Sequence, residues 1–240
     1  AQTNDFVSRL CALTGDIDRS GFELFVIPSY TTLDQANRHR DSALLKLGAQ
    51  NMGWEECGQY TGEISPLMLG EVGCDMVMIG HSERRHIFFE TDDMERRKVR
   101  CALNHGFAAL LCIGETEDEK DAGLSDEILR AQLELDLADV KADEARGLLI
   151  AYEPVWAIGV NGKPITADYV GDRLRAIRKT LVSLFHEAGE DVPMLYGGSV
   201  NPGNAVALSR CGDINGLFIG RSAWDADAFD RLIRTVLENR

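Results

Sequence analysis

The sequence predicts an α/β protein in which helices cover a parallel β-sheet. Short apolar runs alternate along the chain with longer segments of helical periodicity, which is the pattern of repeated β–α units. Some runs, such as MVMI at 76–79, are apolar throughout, as expected for strands buried on both faces of a parallel sheet. Seven strands are predicted, at residues 24–27, 46–50, 76–80, 108–113, 148–152, 192–196 and 216–219.

The segments between these runs have the spacing of amphipathic helices. Near the start, Phe6, Leu10 and Leu13 fall on one helical face, and residues 118–140 combine an acidic face with a leucine-rich face. The clearest repeat, with the period of a helix, is formed by Phe229, Leu232, Ile233, Val236 and Leu237. Because no linker rich in proline, glycine and serine interrupts the pattern, residues 1–240 are predicted to form a single domain.

The composition excludes several classes of function. The 240 residues include 25 basic and 39 acidic side chains, which give a formal net charge of −14. A surface this acidic repels nucleic acids and anionic membranes. No apolar run approaches the roughly 20 residues that a membrane span needs. The sequence therefore predicts a protein that binds neither nucleic acid nor membrane.

Six cysteines are scattered along the chain without a CxxC pair or the spacing of a metal site. In a chain of this length the pattern predicts reduced thiols in a cytoplasmic protein, with no metal centre. Cys74 and Cys112 lie close to apolar strands and are interpreted as core residues.

A carboxylate at the end of one strand is the first candidate for a catalytic group. The strand at 148–152 leads directly to Glu153, which is followed by a proline, a tryptophan and a loop that contains Gly159. A carboxylate in this position, beside a loop that can close over it, suits a general base shielded from water. Taken alone, the same residues also fit a capped strand with an ordinary loop. Further motifs at the ends of two other strands favour the functional interpretation.

Those two motifs are GHSERR at 80–85 and YGGSVNPGN at 196–204. Together with AQN at 49–51, YTGEIS at 60–65 and CIGE at 112–115, they occur in an order that closely resembles the triosephosphate isomerase family. The resemblance covers essentially the whole chain, and several long motifs in one fixed order are far more specific than any one of them.

The resemblance implies a (β/α)8 barrel, the TIM barrel, although only seven strands can be counted. In the family a first strand carries an asparagine and a lysine that line the active site. No such segment precedes Ala1, and the helix that contains Phe6 corresponds to the helix after that strand. The first strand is therefore expected to be missing from these 240 residues, which would then be a fragment of a longer chain.

The resemblance also implies the catalytic groups of a cofactor-independent sugar-phosphate isomerase. Glu153 matches the family's base, and His81 matches the neutral imidazole that donates a hydrogen bond to the substrate carbonyl. This pairing is a standard example of acid–base tuning by environment. Glu83 matches a supporting carboxylate that orders polar groups around the site, or it is a first-turn residue favoured by the helix dipole. Arg84, Arg85 and His86 are interpreted as structural, with the arginines pairing with carboxylates on neighbouring loops.

Three loops are implied to hold the substrate phosphate, through Gly159, Ser199 and Gly220. The chain departs from the common family pattern at two of them. Arg221 replaces the second glycine of the last loop, where it would contact the phosphate or pair on the surface, and the lid at 158–166 is one residue longer than usual. Both departures resemble the branch of the family that isomerises tetrulose phosphates such as L-erythrulose 1-phosphate.

The loop at 60–65 resembles the one that family members insert into a neighbouring subunit, with Thr61 at its tip. It predicts a homodimer, with a loop folded on its own barrel as the alternative.

Two rival functions stay open. One is triosephosphate isomerase itself, in glycolysis and gluconeogenesis. The other is an inactive paralogue that binds a sugar phosphate or a partner.

Overall fold

Seven parallel strands in sequence order form the framework of the protein. The computed structural model describes residues 2–159 and 162–239. In that part of the chain the strands pair only with their sequence neighbours, so that β1 and β7 are the edges of the sheet. The strands are β1 (Phe25–Val26), β2 (Lys46–Ala49), β3 (Met76–Ile79), β4 (Ala108–Ile113), β5 (Leu148–Tyr152), β6 (Met194–Tyr196) and β7 (Gly216–Leu217).

Helices follow the strands, as the alternating pattern predicts. They are α1 (Gln2–Thr14), α2 (Leu33–His39), α3 (Pro66–Glu71), α4 (Ser82–His86), α5 (Asp92–Asn104), α6 (Glu117–Asp121), α7 (Ser125–Asp136), α8 (Ala167–Phe185), α9 (Glu187–Glu190), α10 (Ala205–Ser209) and α11 (Ala226–Asn239). Four of these helices begin after a residue whose side-chain hydroxyl accepts a hydrogen bond from an otherwise unpaired backbone N–H. These N-caps are Ser65 for α3, Thr91 for α5, Thr116 for α6 and Thr166 for α8.

The sheet is curled, and its two faces bury different sets of side chains. The outer face packs on the helices and forms the large hydrophobic core. The inner face encloses a smaller cluster, which includes Met78, Leu110 and Leu195. The ring of Phe25 on β1 lies 6.1 Å from that of Phe218, which follows β7, so the two edges of the sheet approach each other. This curled parallel sheet confirms the predicted class of fold.

The seven predicted strands are confirmed, with shorter boundaries at several ends. The third strand ends at Ile79 because Gly80 adopts a φ of 72°, which breaks the extended backbone. The acidic and leucine-rich segment at 118–140 was expected to be continuous, but it is divided into α6 and α7. Gly123 lies in the turn between them with a φ of 75°. A glycine in this conformation ends a helix.

None of the helices in the described ranges is long and apolar enough to cross a membrane.

A group of charged side chains is buried where α5 packs near the loop after α4. The ammonium of Lys98 lies 2.6 Å from Glu90 and 3.0 Å from Asn51, and Arg84 donates to Glu90 at 2.5 Å. Glu95 is fully buried, 3.8 Å from Lys98, and its two carboxylate oxygens accept no hydrogen bond from the described residues. Because burial penalises the charged form, the pKa of Glu95 is raised to about 7.

This raised pKa predicts a pH-dependent contribution to stability. Between about pH 4.5 and pH 7 the folded chain keeps a proton on Glu95 that the unfolded chain has lost, so stability falls as the pH rises through this window. Glu95→Gln removes the ionisable group. The Tm of this variant, relative to the unmodified chain, should therefore increase from the acidic to the neutral end of the window. Glu238→Gln, at an exposed position on α11, is the control. A Tm difference that is constant with pH would contradict the assignment.

Candidate active site

The candidate site lies at the carboxyl ends of the parallel strands. His81 follows β3, Glu153 follows β5, Ser199 follows β6 and Gly220 follows β7. Parallel pairing brings these ends to the same edge of the sheet, where catalytic groups of such barrels are found. The side chain of His81 and the backbone of Gly220 line one cleft of about 1230 Å³, which extends between the sheet edges β1 and β7.

The imidazole of His81 is oriented by the start of α4. The backbone N–H of Glu83 donates to Nδ1 of His81 at 3.3 Å, so Nδ1 is an acceptor and the ring proton lies on Nε2. Nε2 lies 3.5 Å from Oε1 of Glu153. The helix terminus thus orients the imidazole so that Nε2 faces the carboxylate of Glu153.

Glu153 is held at the end of β5 in a nearly dry environment. Its side chain is 3% exposed, and its backbone N–H donates to the carbonyl of Ile113 at 2.7 Å. Burial raises the pKa of Glu153, and the nearby imidazole of His81, the backbone of Ser82 and the thiol of Cys112 oppose that rise. A carboxylate with a raised pKa is a stronger base than an exposed one.

Two glycines allow the chain to approach Glu153 this closely. A Cβ atom at Gly114 would lie 1.9 Å from the carbonyl oxygen of Glu153, and one at Gly197 would lie 2.8 Å from its Cγ. A larger residue at Gly114 would displace the backbone of Glu153, and one at Gly197 would displace its side chain. The motifs CIGE and YGGS therefore contribute backbone clearance to the site, in addition to any contact with a ligand.

Cys112 is part of this environment, although its place in an apolar strand suggested only a core residue. It is fully buried in the inner cluster, and its thiol is one of the neighbouring groups that lower the pKa of Glu153 against the effect of burial. Burial is the main reason that the pKa of this thiol lies well above its usual range. The uncharged thiol therefore lies beside the carboxylate of Glu153. This proximity depends on the strand register, which pairs Cys112 with Ala151, and it is not apparent from the sequence alone.

Glu83 occupies the first turn of α4, and it borders the same cleft as His81. The side chain is 68% exposed, and Oε2 lies 3.9 Å from Nδ1 of His81. In the structure, therefore, the backbone amide of Glu83 orders the imidazole. This placement is compatible with both roles expected from the sequence, a residue of the first helical turn and a carboxylate beside the imidazole.

A second buried carboxylate, which the sequence analysis did not identify as functional, anchors the start of the lid. Oε1 of Glu115 accepts hydrogen bonds from Trp156 at 3.0 Å, from Tyr169 at 3.0 Å and from Tyr152 at 3.1 Å. Further along, the side chain of Lys163 pairs with Glu117. Val160 and Asn161, in the middle of the predicted lid, lie outside the described residues.

The residues expected to hold phosphate lie on three connected and exposed loops. Gly159 has a φ of 83°, and its carbonyl accepts a hydrogen bond of 2.8 Å from Arg221. Ser222, beside Arg221, donates to the carbonyl of Val200, which follows Ser199. Arg221 therefore contacts the lid backbone in this structure, and its position joins the loops of Gly159, Ser199 and Gly220.

Among the residues in the described ranges, no group of three or more histidine, cysteine, aspartate or glutamate side chains is arranged to hold a metal ion.

Comparison with known proteins places this site in a family. The family model described as triosephosphate isomerase matches residues 1–236. The L-erythrulose-1-phosphate isomerase of Rhizobium etli is 51% identical over 85% of this chain and 76% of that protein. The protein of the same name in Mesorhizobium japonicum is 46% identical over 95% of this chain and 89% of its own.

Two triosephosphate isomerases are also similar. The one from a Thermoanaerobacter species is 42% identical over 88% of this chain and 85% of that protein. The crystal structure of the Bartonella henselae enzyme superimposes with a TM-score of 0.88 at 34% identity, and it covers 99% of this chain and 94% of that one. These matches, together with Glu153 and His81 at the strand ends, show that the chain belongs to the triosephosphate isomerase family.

Proposed function

We propose that this protein is a sugar-phosphate isomerase that moves the carbonyl group of L-erythrulose 1-phosphate through an enediolate. The observation that carries the proposal is the buried carboxylate of Glu153 beside the Nε2–H of His81, at a distance of 3.5 Å. Relatives named L-erythrulose-1-phosphate isomerase are 44–51% identical to the chain, which supports the choice of substrate.

The two side chains divide the chemistry between them. The carboxylate of Glu153 removes a proton from the carbon next to the carbonyl and returns it to the neighbouring carbon. The N–H of His81 donates to the oxygen on which negative charge develops, and the hydroxyl proton of the reacting carbon passes to that oxygen as the carbonyl moves. Because Glu153 is nearly fully buried, little water surrounds the base, and its raised pKa keeps it a strong proton acceptor.

The phosphate is proposed to lie against the loops of Gly159, Ser199 and Gly220. Exposed glycines leave backbone N–H groups accessible to an anion, which gives a local attraction on a chain whose net charge is −14. Arg221 is placed to add a guanidinium to this group, since its side chain reaches the carbonyl of Gly159. A closed lid would protect the enediolate from loss of phosphate.

Triosephosphate is the alternative substrate, supported by the 42% identity to a triosephosphate isomerase. The role of an inactive paralogue is disfavoured, because Glu153 and His81 are both present and in contact.

A side-by-side assay of isomerisation tests the proposal. The full-length protein should turn over L-erythrulose 1-phosphate with a higher kcat/KM than glyceraldehyde 3-phosphate. A higher value for the triose would identify a triosephosphate isomerase. The absence of turnover of either substrate would contradict the proposed function altogether.

Shortening the base should impair catalysis far more than binding. In Glu153→Asp the carboxylate retreats by about one methylene from the reacting carbon, and such a displacement costs about 100-fold in kcat while KM changes little. Steady-state kinetics and Tm are measured beside Glu153→Gln, which removes the base while keeping the size of the side chain. An unchanged kcat in Glu153→Asp would show that another group is the base.

Arg221 should influence which substrate is preferred. Arg221→Gly removes the guanidinium and the hydrogen bond to Gly159, so the ratio of kcat/KM for the tetrulose over the triose phosphate should fall by about tenfold. Arg210→Gly is the matched control, since the exposed Arg210 also donates to a backbone carbonyl, that of Asn239. If both variants leave the ratio unchanged, Arg221 is only a surface residue.

We also propose a homodimer formed through the loop that carries Thr61. This loop is exposed, and large apolar side chains nearby in sequence or after α4 are exposed as well, namely Tyr60, Leu67, Met68, Ile87, Phe88 and Phe89. An exposed apolar set of this kind is typical of a subunit interface. Sedimentation analysis should give the mass of two chains, and a monomer at micromolar concentration would contradict the proposal.

The six free cysteines support a cytoplasmic location.

A further inference from the structure

Arg85 makes a set of buried contacts that reach both halves of the candidate site. Its side chain is 8% exposed. It donates through Nε to the carbonyl of Gly80 at 2.8 Å, and through Nη2 to the carbonyl of Cys112 at 3.2 Å. Two carboxylates hold the other side of the guanidinium, Asp92 at 2.6 Å and Asp136 at 2.5 Å.

The first of these contacts fixes the peptide that carries His81. The carbonyl of Gly80 and the N–H of His81 belong to one planar unit, so a bond to that carbonyl sets the direction in which His81 leaves β3. The backbone N–H of Arg85 donates to the carbonyl of His81 at 3.1 Å, which holds the next peptide as well. Gly80 leaves the space for this arrangement, because a Cβ there would lie 2.6 Å from Nη2 of Arg85.

The second contact reaches the environment of Glu153. Cys112 lies in β4, paired with Ala151 of β5, and the carbonyl of the next residue, Ile113, accepts a hydrogen bond from the backbone N–H of Glu153 at 2.7 Å. A guanidinium bonded to the carbonyl of Cys112 holds the end of β4 at a fixed distance from the end of β3. One planar side chain therefore spans the end of β3, which leads to His81, and the end of β4, which lies beside the strand that leads to Glu153.

The anchoring carboxylates belong to helices rather than to the loops that were expected. Asp92 begins α5, and Asp136 ends α7. Asp136 is fully buried, so its contact with Arg85 is shielded from water. Both helices pack on the outer face of the sheet, and their carboxylates leave the guanidinium little freedom to turn.

We propose that Arg85 is a positioning residue that sets the distance and angle between His81 and Glu153. This inference rests on the proposed isomerase function. Arg85 does not touch the substrate, and it acts through the carbonyls of Gly80 and Cys112.

Arg85→Lys is the direct test, because lysine keeps the charge but lacks the planar fork that reaches two carbonyls and two carboxylates at once. We expect kcat to fall by roughly tenfold or more, with KM within about threefold of the unmodified chain. The ¹⁵N signals of the His81 imidazole, assigned by comparison with His81→Gln, should shift. Arg100→Lys is the matched control, since Arg100 on α5 forms two hydrogen bonds with Glu144 but contacts no residue of the site.

A lower Tm alone does not distinguish positioning from support of the fold, but the kinetics and the His81 signals do. The proposal is overturned if Arg85→Lys has a lower Tm while its kcat and its His81 signals match those of Arg100→Lys. If Arg85→Lys does not fold, Asp92→Asn releases one anchor of the guanidinium and should change kcat and the His81 signals in the same direction. Unchanged values in Asp92→Asn would then overturn it.

The two proposals fail in different ways. If the unmodified protein isomerises neither sugar phosphate, the proposed function is wrong, and the ¹⁵N shift of His81 still reports whether Arg85 positions the imidazole. If the unmodified protein is active and Arg85→Lys retains full kcat with unshifted His81 signals, only the positioning role is wrong.

Discussion

The burial of one carboxylate, that of Glu153, determines how the rest of the site is arranged. A charged group that loses its water must gain partners or take up a proton, and here desolvation outweighs its neighbours and raises the pKa. The chain surrounds it with the imidazole of His81, the thiol of Cys112 and the clearance provided by Gly114 and Gly197. Base strength and exclusion of water thus come from the same packing.

The framework and the loops contribute different properties to the proposed isomerase. Strand pairing fixes Cys112 and Glu153, and the start of α4 fixes the imidazole of His81, so the proton-transfer groups stand on rigid elements. The loops of Gly159 and Arg221 are exposed and joined by one hydrogen bond. This division lets related chains change substrate through their loops while the chemistry stays the same.

The sequence alone predicted the features that depend on residues close together in the chain. All seven strands were predicted from the apolar pattern, whereas the pairing of Glu153 with His81 was implied by the resemblance to the family. The contact of Cys112 with Glu153 was missed, since it depends on the register between β4 and β5. The anchors of Arg85 were misplaced on loops, because Asp136 lies 51 residues away and only the packing of α7 brings it near. The break at Gly123 shows that one glycine can override a continuous amphipathic pattern.

Deuterium incorporation during isomerisation in D₂O tests most directly whether Glu153 transfers the proton. Removal of the proton by a carboxylate allows it to exchange with solvent before it returns. L-erythrulose 1-phosphate and its product should therefore each acquire deuterium at one carbon next to the carbonyl, the carbon that shares the enediolate with it. Glu153→Gln should abolish this incorporation together with turnover. Normal turnover by Glu153→Gln, with or without deuterium in the product, would contradict the assignment of Glu153 as the base.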